Sequence, residues 1–149
     1  MNQKKIEEMN VLVVDDEEKI CSLIKVFLET SFNFKSIVVA TTVVQANQKL
    51  INQEFDLLIT DHVLPGKLGI DFVKNLRQSV KFNRLKVILI SGYLQQEDVL
   101  KAIGVGVRNV LVKPFTRQQL IQQVTDVLRL GNEEEEEEEE DSAEDQEEN

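Results

Sequence analysis

The sequence predicts a doubly wound α/β fold, a mostly parallel sheet with helices on both faces, and three observations predict it. Five short runs are rich in β-branched residues: Val11–Val14, Ile37–Ala40, Leu57–Thr60, Val87–Ile90 and Val110–Val112. None alternates apolar with polar, as expected of strands buried on both faces. Amphipathic stretches separate them and follow the last. Right-handed crossovers between successive parallel strands then place helices on both sides of the sheet.

Each helix has its own pattern. In the first, Ile20, Leu23, Ile24, Phe27 and Leu28 repeat at helical spacing and form the core stripe, with Lys19, Lys25 and Glu29 elsewhere. The second opens Thr42-Val-Val-Gln45, a capping-box pattern, and ends near Leu50–Ile51. The third is expected to carry Ile70, Val73, Leu76 and Val80. The fourth runs from about Gln95 to Ile103, with Gly104 as its stop. The fifth opens Thr116-Arg-Gln-Gln119, buries Leu120, Ile121, Val124, Val127 and Leu128, and ends at Gly131.

Charge is unevenly placed along the 149 residues. The chain holds 17 Lys/Arg and 27 Asp/Glu, a net of −10. Residues 132–149 carry 13 of those acids and no base, so residues 1–131 hold 14 acids against 17 bases, a net of +3. Glu133–Glu140 is a run of like charges with nothing apolar to bury, and a disordered acidic tail over 132–149 is expected. The ordered part is one domain, 9–131.

Several classes are excluded. One cysteine, Cys21, makes no internal disulfide and no multi-cysteine zinc site; one histidine, His62, makes no histidine-rich metal centre. No apolar run approaches the roughly 20 residues of a membrane span, and residues 1–10 do not read as a signal peptide. A cytoplasmic protein without membrane contact is expected.

Chemistry in an open α/β sheet sits at the carboxyl ends of the strands. After strand 1 come Asp15 and Asp16; after strand 3, Asp61; after strand 4, Ser91; after strand 5, Lys113, followed by Pro114. Strand 2 gives Thr41 and no charge. Taken alone, an Asp-Asp pair before a helix is a capping device, and Lys-Pro or Ser-Gly is a turn. Together they supply what phosphoryl transfer needs. Magnesium takes one or two carboxylates plus a phosphate oxygen. Asp61 is a candidate nucleophile, Lys113 a candidate neutraliser of phosphoryl charge, and Ser91 a candidate hydrogen-bond donor.

In VLVVDDE (11–17), LLITDHVLPGKLG (57–69), ILISGY (88–93) and NVLVKPF (109–115) the chain resembles the receiver domain of two-component response regulators, the family that includes the single-domain chemotaxis regulator. With the helices between, the resemblance covers 10–130. It implies a flavodoxin-like sheet of order 2-1-3-4-5 with five helices. It implies Asp61 as phosphoacceptor, and magnesium (Mg2+) held by Asp15, Asp16, Asp61 and the backbone carbonyl of Val63. It further implies Ser91 as the switch hydroxyl, Lys113 as the phosphate-contacting lysine and a cis Lys113–Pro114 bond. Pro65-Gly66 and Gly69 match the family's turn after the phosphoacceptor. The donor would be a sensor histidine kinase or histidine phosphotransfer protein. The output would be a protein contact through the face of helix 4, strand 5 and helix 5, with no nucleic acid bound directly. The chain would be a monomer or a phosphorylation-dependent dimer. It would catalyse only its own phosphorylation and dephosphorylation.

Two positions depart from the family. Val110 stands where an aromatic switch residue is common, and Val63 stands two beyond Asp61, where many members are polar. Tyr93 and Phe115 could replace the missing aromatic, though packing or surface roles are the simpler expectation. Val63 and Tyr93 flanking the site predict a long-lived phosphoryl group. His62 is expected to be an exposed loop residue rather than a phosphohistidine.

Three rival classes fit the residues less well. A haloacid-dehalogenase-type phosphatase needs Asp-x-Asp, which Val63 breaks. Flavodoxin needs a phosphate loop that Asp15-Asp16-Glu17-Glu18 would repel. A pseudo-receiver, a phosphorylation-independent binding module, draws support only from Val110. The tail has three readings: a solvating appendage, an arm for a basic partner, or a strap over Lys81, Arg84 and Lys86. Lys74, Arg77 and Lys81 are expected on one helical face nearby.

Overall fold

The computed structural model describes residues 4–129. Five parallel strands form the sheet: β1 (Asn10–Val14), β2 (Ser36–Ala40), β3 (Leu57–Asp61), β4 (Lys86–Ser91) and β5 (Asn109–Val112). Their order is β2-β1-β3-β4-β5, with register running from Val11↔Leu57 to Ser91↔Val112. The helices between are α1 (Glu18–Ser31), α2 (Val43–Asn52), α3 (Gly69–Arg77) and α4 (Gln96–Gly104), and α5 spans 117–129. This is the predicted flavodoxin-like fold.

The continuous apolar runs explain the two-sided core. Successive side chains point to opposite faces of a strand. Val11, Val13, Ile59, Ile88 and Ile90 therefore join Ile24, Leu28, Leu120 and Val124 on the α1–α5 side. Leu12, Val14, Leu58 and Leu89 join Leu50, Phe72, Val73 and Ala102 on the other. Truncating a wholly buried residue such as Leu58 would cost about 2–5 kcal/mol.

Three details of the helices differ from expectation. α1 buries Cys21 with Ile24 and Leu28, while Leu23 is exposed. The small thiol fits beneath the Asp15 carbonyl, to which its Sγ donates at 3.2 Å. α3 stops at Arg77, and Val80 lies on a separate 3-10 turn (Val80–Phe82), fully outside the core; buried Phe72 takes its place in the stripe. Gly104 is the last helical residue of α4, but the left-handed position falls on Gly106, φ +79°. There Gly106 N–H donates to Ile103 O and Val107 N–H to Ala102 O, a Schellman ending closed over buried Val107 and Ala102.

The predicted caps form. Thr116 and Gln119 exchange both hydrogen bonds, at 3.1 and 2.9 Å. Thr42 Oγ1 accepts from Gln45 N–H, but Gln45 Oε1 accepts from Thr41 N–H one residue earlier. The expected end of α5 at Gly131 and the acidic tail 132–149 lie outside the described residues.

Candidate functional site

The chain ends of β1, β3 and β5 bring the predicted charges together. Asp15 is wholly buried where β1 gives way to α1. Its Oδ1 accepts from Glu17 N–H at 2.9 Å, so it does cap the turn into α1, yet its Oδ2 is left over. Asp61 ends β3, and Lys113 follows β5. The Lys113 Nζ lies 3.0 Å from Asp15 Oδ2 and 3.1 Å from Asp61 Oδ2. The Asp61 contact is a hydrogen bond; the Asp15 contact lacks hydrogen-bond alignment, so that buried oxygen has no donor. The peptide bond between Lys113 and Pro114 is cis, as the resemblance implies.

Burial dominates the electrostatics. It pushes the Asp15 carboxyl above its ordinary 3.8, and the charge of Asp61 adds to this, against the pull of Glu17 N–H and Lys113. Burial would lower the Lys113 ammonium, but Asp15 and Asp61 outweigh it and hold its pKa above 10.5. One cation thus partly neutralises two close carboxylates.

A third carboxylate, exposed Asp16, completes the cluster. One oxygen from each of Asp15, Asp16 and Asp61 falls within 4.8 Å of the others. Such all-oxygen sets suit a hard divalent cation. The unsatisfied Asp15 oxygen and the excess of negative charge fit magnesium.

The loop after Asp61 is held tightly. A short antiparallel hairpin pairs Val63 with Leu68 and Leu64 with Lys67, turning at Gly66, φ +74°. Val63 N–H lies 3.3 Å from Asp61 Oδ1, and its side chain is exposed. A Cβ at Gly69 would run into the Asp61 carbonyl and the His62 Cα, so glycine is needed there by close approach. Sequence reading matched the glycines but not the hairpin.

Ser91 is at the edge of the site but engaged elsewhere. Its Oγ donates to Tyr93 O at 2.8 Å and accepts from Tyr93 N–H at 3.1 Å. Tyr93 itself is 78% exposed, Phe115 packs against the α1–α5 core, and Val110 packs half-buried against the other core. No aromatic residue occupies the Val110 position.

His62 contradicts the expectation of an exposed loop residue: it is 3% exposed. In the loop after β3, the His62 Nε2 lies 3.8 Å from Asp98 Oδ2. The basic face also dissolves. Because α3 ends at Arg77, Lys81 is off that helix. Arg77 is half-buried, donating from Nε to Val105 O and from Nη1 to Phe82 O; Lys81 Nζ donates to Leu50 O. Asp98 had no motif to mark it, and Arg77 read only as part of a basic surface face.

Fold and site together define a doubly wound α/β module with an acidic pocket and a lysine at its topological switch point. Residues 11–125 match the family model of the response regulator receiver domain, and the chain belongs to that family of two-component and chemotaxis signalling modules. Chemotaxis protein CheY1 of Helicobacter pylori is 35% identical over 121 residues, covering 80% of this chain and 97% of that protein. A chemotaxis protein CheY homolog of Campylobacter jejuni is 34% identical over 127 residues, 85% of this chain and 97% of that one. The structure of chemotaxis response regulator CheY4 of Vibrio cholerae superposes with a TM-score of 0.73 at 25% identity, over 80% of this chain and 98% of that one. A CheY-like receiver domain protein from Methanospirillum hungatei gives 0.75 at 23% identity, over 85% and 98%, which speaks for the fold alone. Among the described residues no helix is long and apolar enough to cross a membrane.

Proposed function

We propose that the chain is a single-domain, cytoplasmic response regulator that takes a phosphoryl group on Asp61 from a histidine kinase or histidine phosphotransfer protein. Its output is a protein–protein contact. The observation that carries this reading is Lys113 Nζ, held within 3.1 Å of Asp61 Oδ2 and of Asp15 Oδ2. A lysine bridging two carboxylates is placed to neutralise a third anion brought between them.

A carboxylate oxygen of Asp61 attacks phosphorus as the bond to the donor's leaving atom breaks, and the leaving atom keeps the electron pair. The product is an acyl phosphate on Asp61. Asp15, Asp16, Asp61 and the backbone carbonyl of Val63 would hold magnesium, which would supply positive charge against the phosphoryl oxygens. Lys113 neutralises a further oxygen. Ser91 exchanges its Tyr93 contacts for a hydrogen bond to the phosphoryl group. That exchange frees the loop into α4 and shifts the population of the α4–β5–α5 face towards a partner-binding or dimer-forming state.

Val63, two residues after Asp61, and Tyr93, two after Ser91, are both exposed, and neither side chain offers a carboxylate or amide to orient water. The acyl phosphate is therefore long-lived. The phosphoaccepting unit is 9–131, with 132–149 as an appended acidic tail.

Intact mass after incubation with acetyl phosphate tests the reading. One phosphoryl adduct that needs Mg2+ and disappears in Asp61→Ala is expected. No adduct with acetyl phosphate, together with no binding of beryllofluoride, would leave a phosphorylation-independent binding module.

A further inference from the structure

We propose that His62 is a positioning residue that couples the Asp61 end of β3 to the N-terminus of α4, by a hydrogen bond from its Nε2–H to Asp98 that closes when the site is loaded. The inference rests on the phosphoacceptor reading of Asp61.

The backbone of His62 is tied to the elements around the site. Its N–H donates to Ile90 O at 2.7 Å, and its carbonyl accepts from Gly69 N–H, so β4 and α3 both hold it. Its imidazole is buried with Nδ1 unpartnered among the described residues. A proton on Nδ1 would bury an unpaired donor. A proton on Nε2 instead faces the Asp98 carboxylate.

The gap is 3.8 Å, about 0.6 Å beyond hydrogen-bond range. On its own side Asp98 Oδ2 accepts one long hydrogen bond, from Gln95 N–H at 3.3 Å in the capping box of α4. The other end of α4 is pinned: Arg77 Nε donates to Val105 O at 3.0 Å and Nη1 to Phe82 O at 2.7 Å. A helix fixed at its C-terminus and loose at its N-terminus moves most at Asp98.

What holds α4 away from His62 is the loop before it. Ser91 grips both backbone groups of Tyr93, three residues ahead of Gln96. When Ser91 leaves Tyr93 for a phosphoryl oxygen, that tether is released and Asp98 can close on His62. The contact then gives the Nε2–H an acceptor on the first turn of α4. The half-buried Val110 plays no part in this route.

His62 is the chain's one histidine, so its imidazole signals in 15N–1H spectra are unambiguous. Spectra are recorded with Mg2+, with and without beryllofluoride, and 19F signals report whether the phosphate analogue is bound. The expected result is an Nε2–H proton that becomes protected from exchange by roughly tenfold on loading, with shifts at the amides of residues 96–98. Asp98→Ala loses the protection at unchanged fluoride binding, and Asp98→Asn, which keeps an acceptor, retains part of it. An Nε2–H unaffected by bound beryllofluoride in the wild type overturns the inference whatever the variants do. So does protection that survives Asp98→Ala. Absence of bound fluoride instead overturns the phosphoacceptor reading itself, and this inference with it.

Discussion

Lys113 Nζ lies 3.1 Å from Asp61 Oδ2, although Lys113 follows the edge strand β5 and Asp61 ends β3, two strands away. The same nitrogen meets Asp15 beyond β1. A single side chain therefore ties three strand ends together, and its loss should be felt in both stability and chemistry. Lys113→Met leaves Asp15 and Asp61 facing each other without a cation. The metal-free variant should lose about 2 kcal/mol of stability, read by urea denaturation, and saturating Mg2+ should recover part of it. Phosphorylation by acetyl phosphate should slow by about a hundredfold.

Gly69→Ala should disturb the same site through the backbone. Its Cβ would meet the Asp61 carbonyl and the His62 Cα, neither of which can swing away. A loss of about 1–3 kcal/mol is expected, together with slower phosphorylation. Gly66→Ala, in open space but at φ +74°, should cost about 1–2 kcal/mol and leave the phosphorylation rate close to wild type.

Stability should fall on the alkaline side for a specific reason. Burial, then the charge of Asp15, raises the Cys21 thiol from 9.0 to about 11. The unfolded chain releases that proton first, so the stability Cys21 contributes is complete below pH 9.0 and is lost as pH rises towards about 11. Lys113, raised above 10.5, adds a loss that begins above that value. Denaturation midpoints across pH 8–11 should decline, and Cys21→Ala should flatten the earlier part of the decline. Native Cys21 should also resist iodoacetamide at pH 8 until the protein is unfolded.

Val63 predicts a slow return to the unphosphorylated form. Val63→Asn places an amide where water must be oriented, and the decay of the phosphoryl adduct after donor removal should quicken by roughly tenfold. Wild-type decay within seconds would contradict the proposed role of Val63 and Tyr93.

The fold was legible because runs such as Val11–Val14 and Val87–Ile90 are apolar on both faces, and that pattern requires cover on both. Asp15, Asp16, Asp61 and Lys113 were legible because strand ends in such a sheet converge on one edge. What escaped depends on contacts between distant segments. His62 follows Asp61 in what reads as a loop, and its burial follows from the packing around it, where its backbone bonds Ile90 and Gly69 and its ring nears Asp98. Arg77 reads as a surface base until the carbonyls of Val105 and Phe82 are seen to receive it. Val80 fits a helical stripe that the chain leaves three residues earlier. The Schellman ending of α4 was written locally in Gly106-Val107, but Gly104 offered an earlier stop.

The central claim is that Asp61, and no other carboxylate of the cluster, becomes the acyl phosphate. Borohydride reduces such a phosphate to an alcohol, turning the aspartate into homoserine, and peptide mass spectrometry locates the change. After acetyl phosphate and Mg2+, homoserine at position 61 alone is the predicted result. Homoserine at 15 or 16, with position 61 unmodified, would contradict the account.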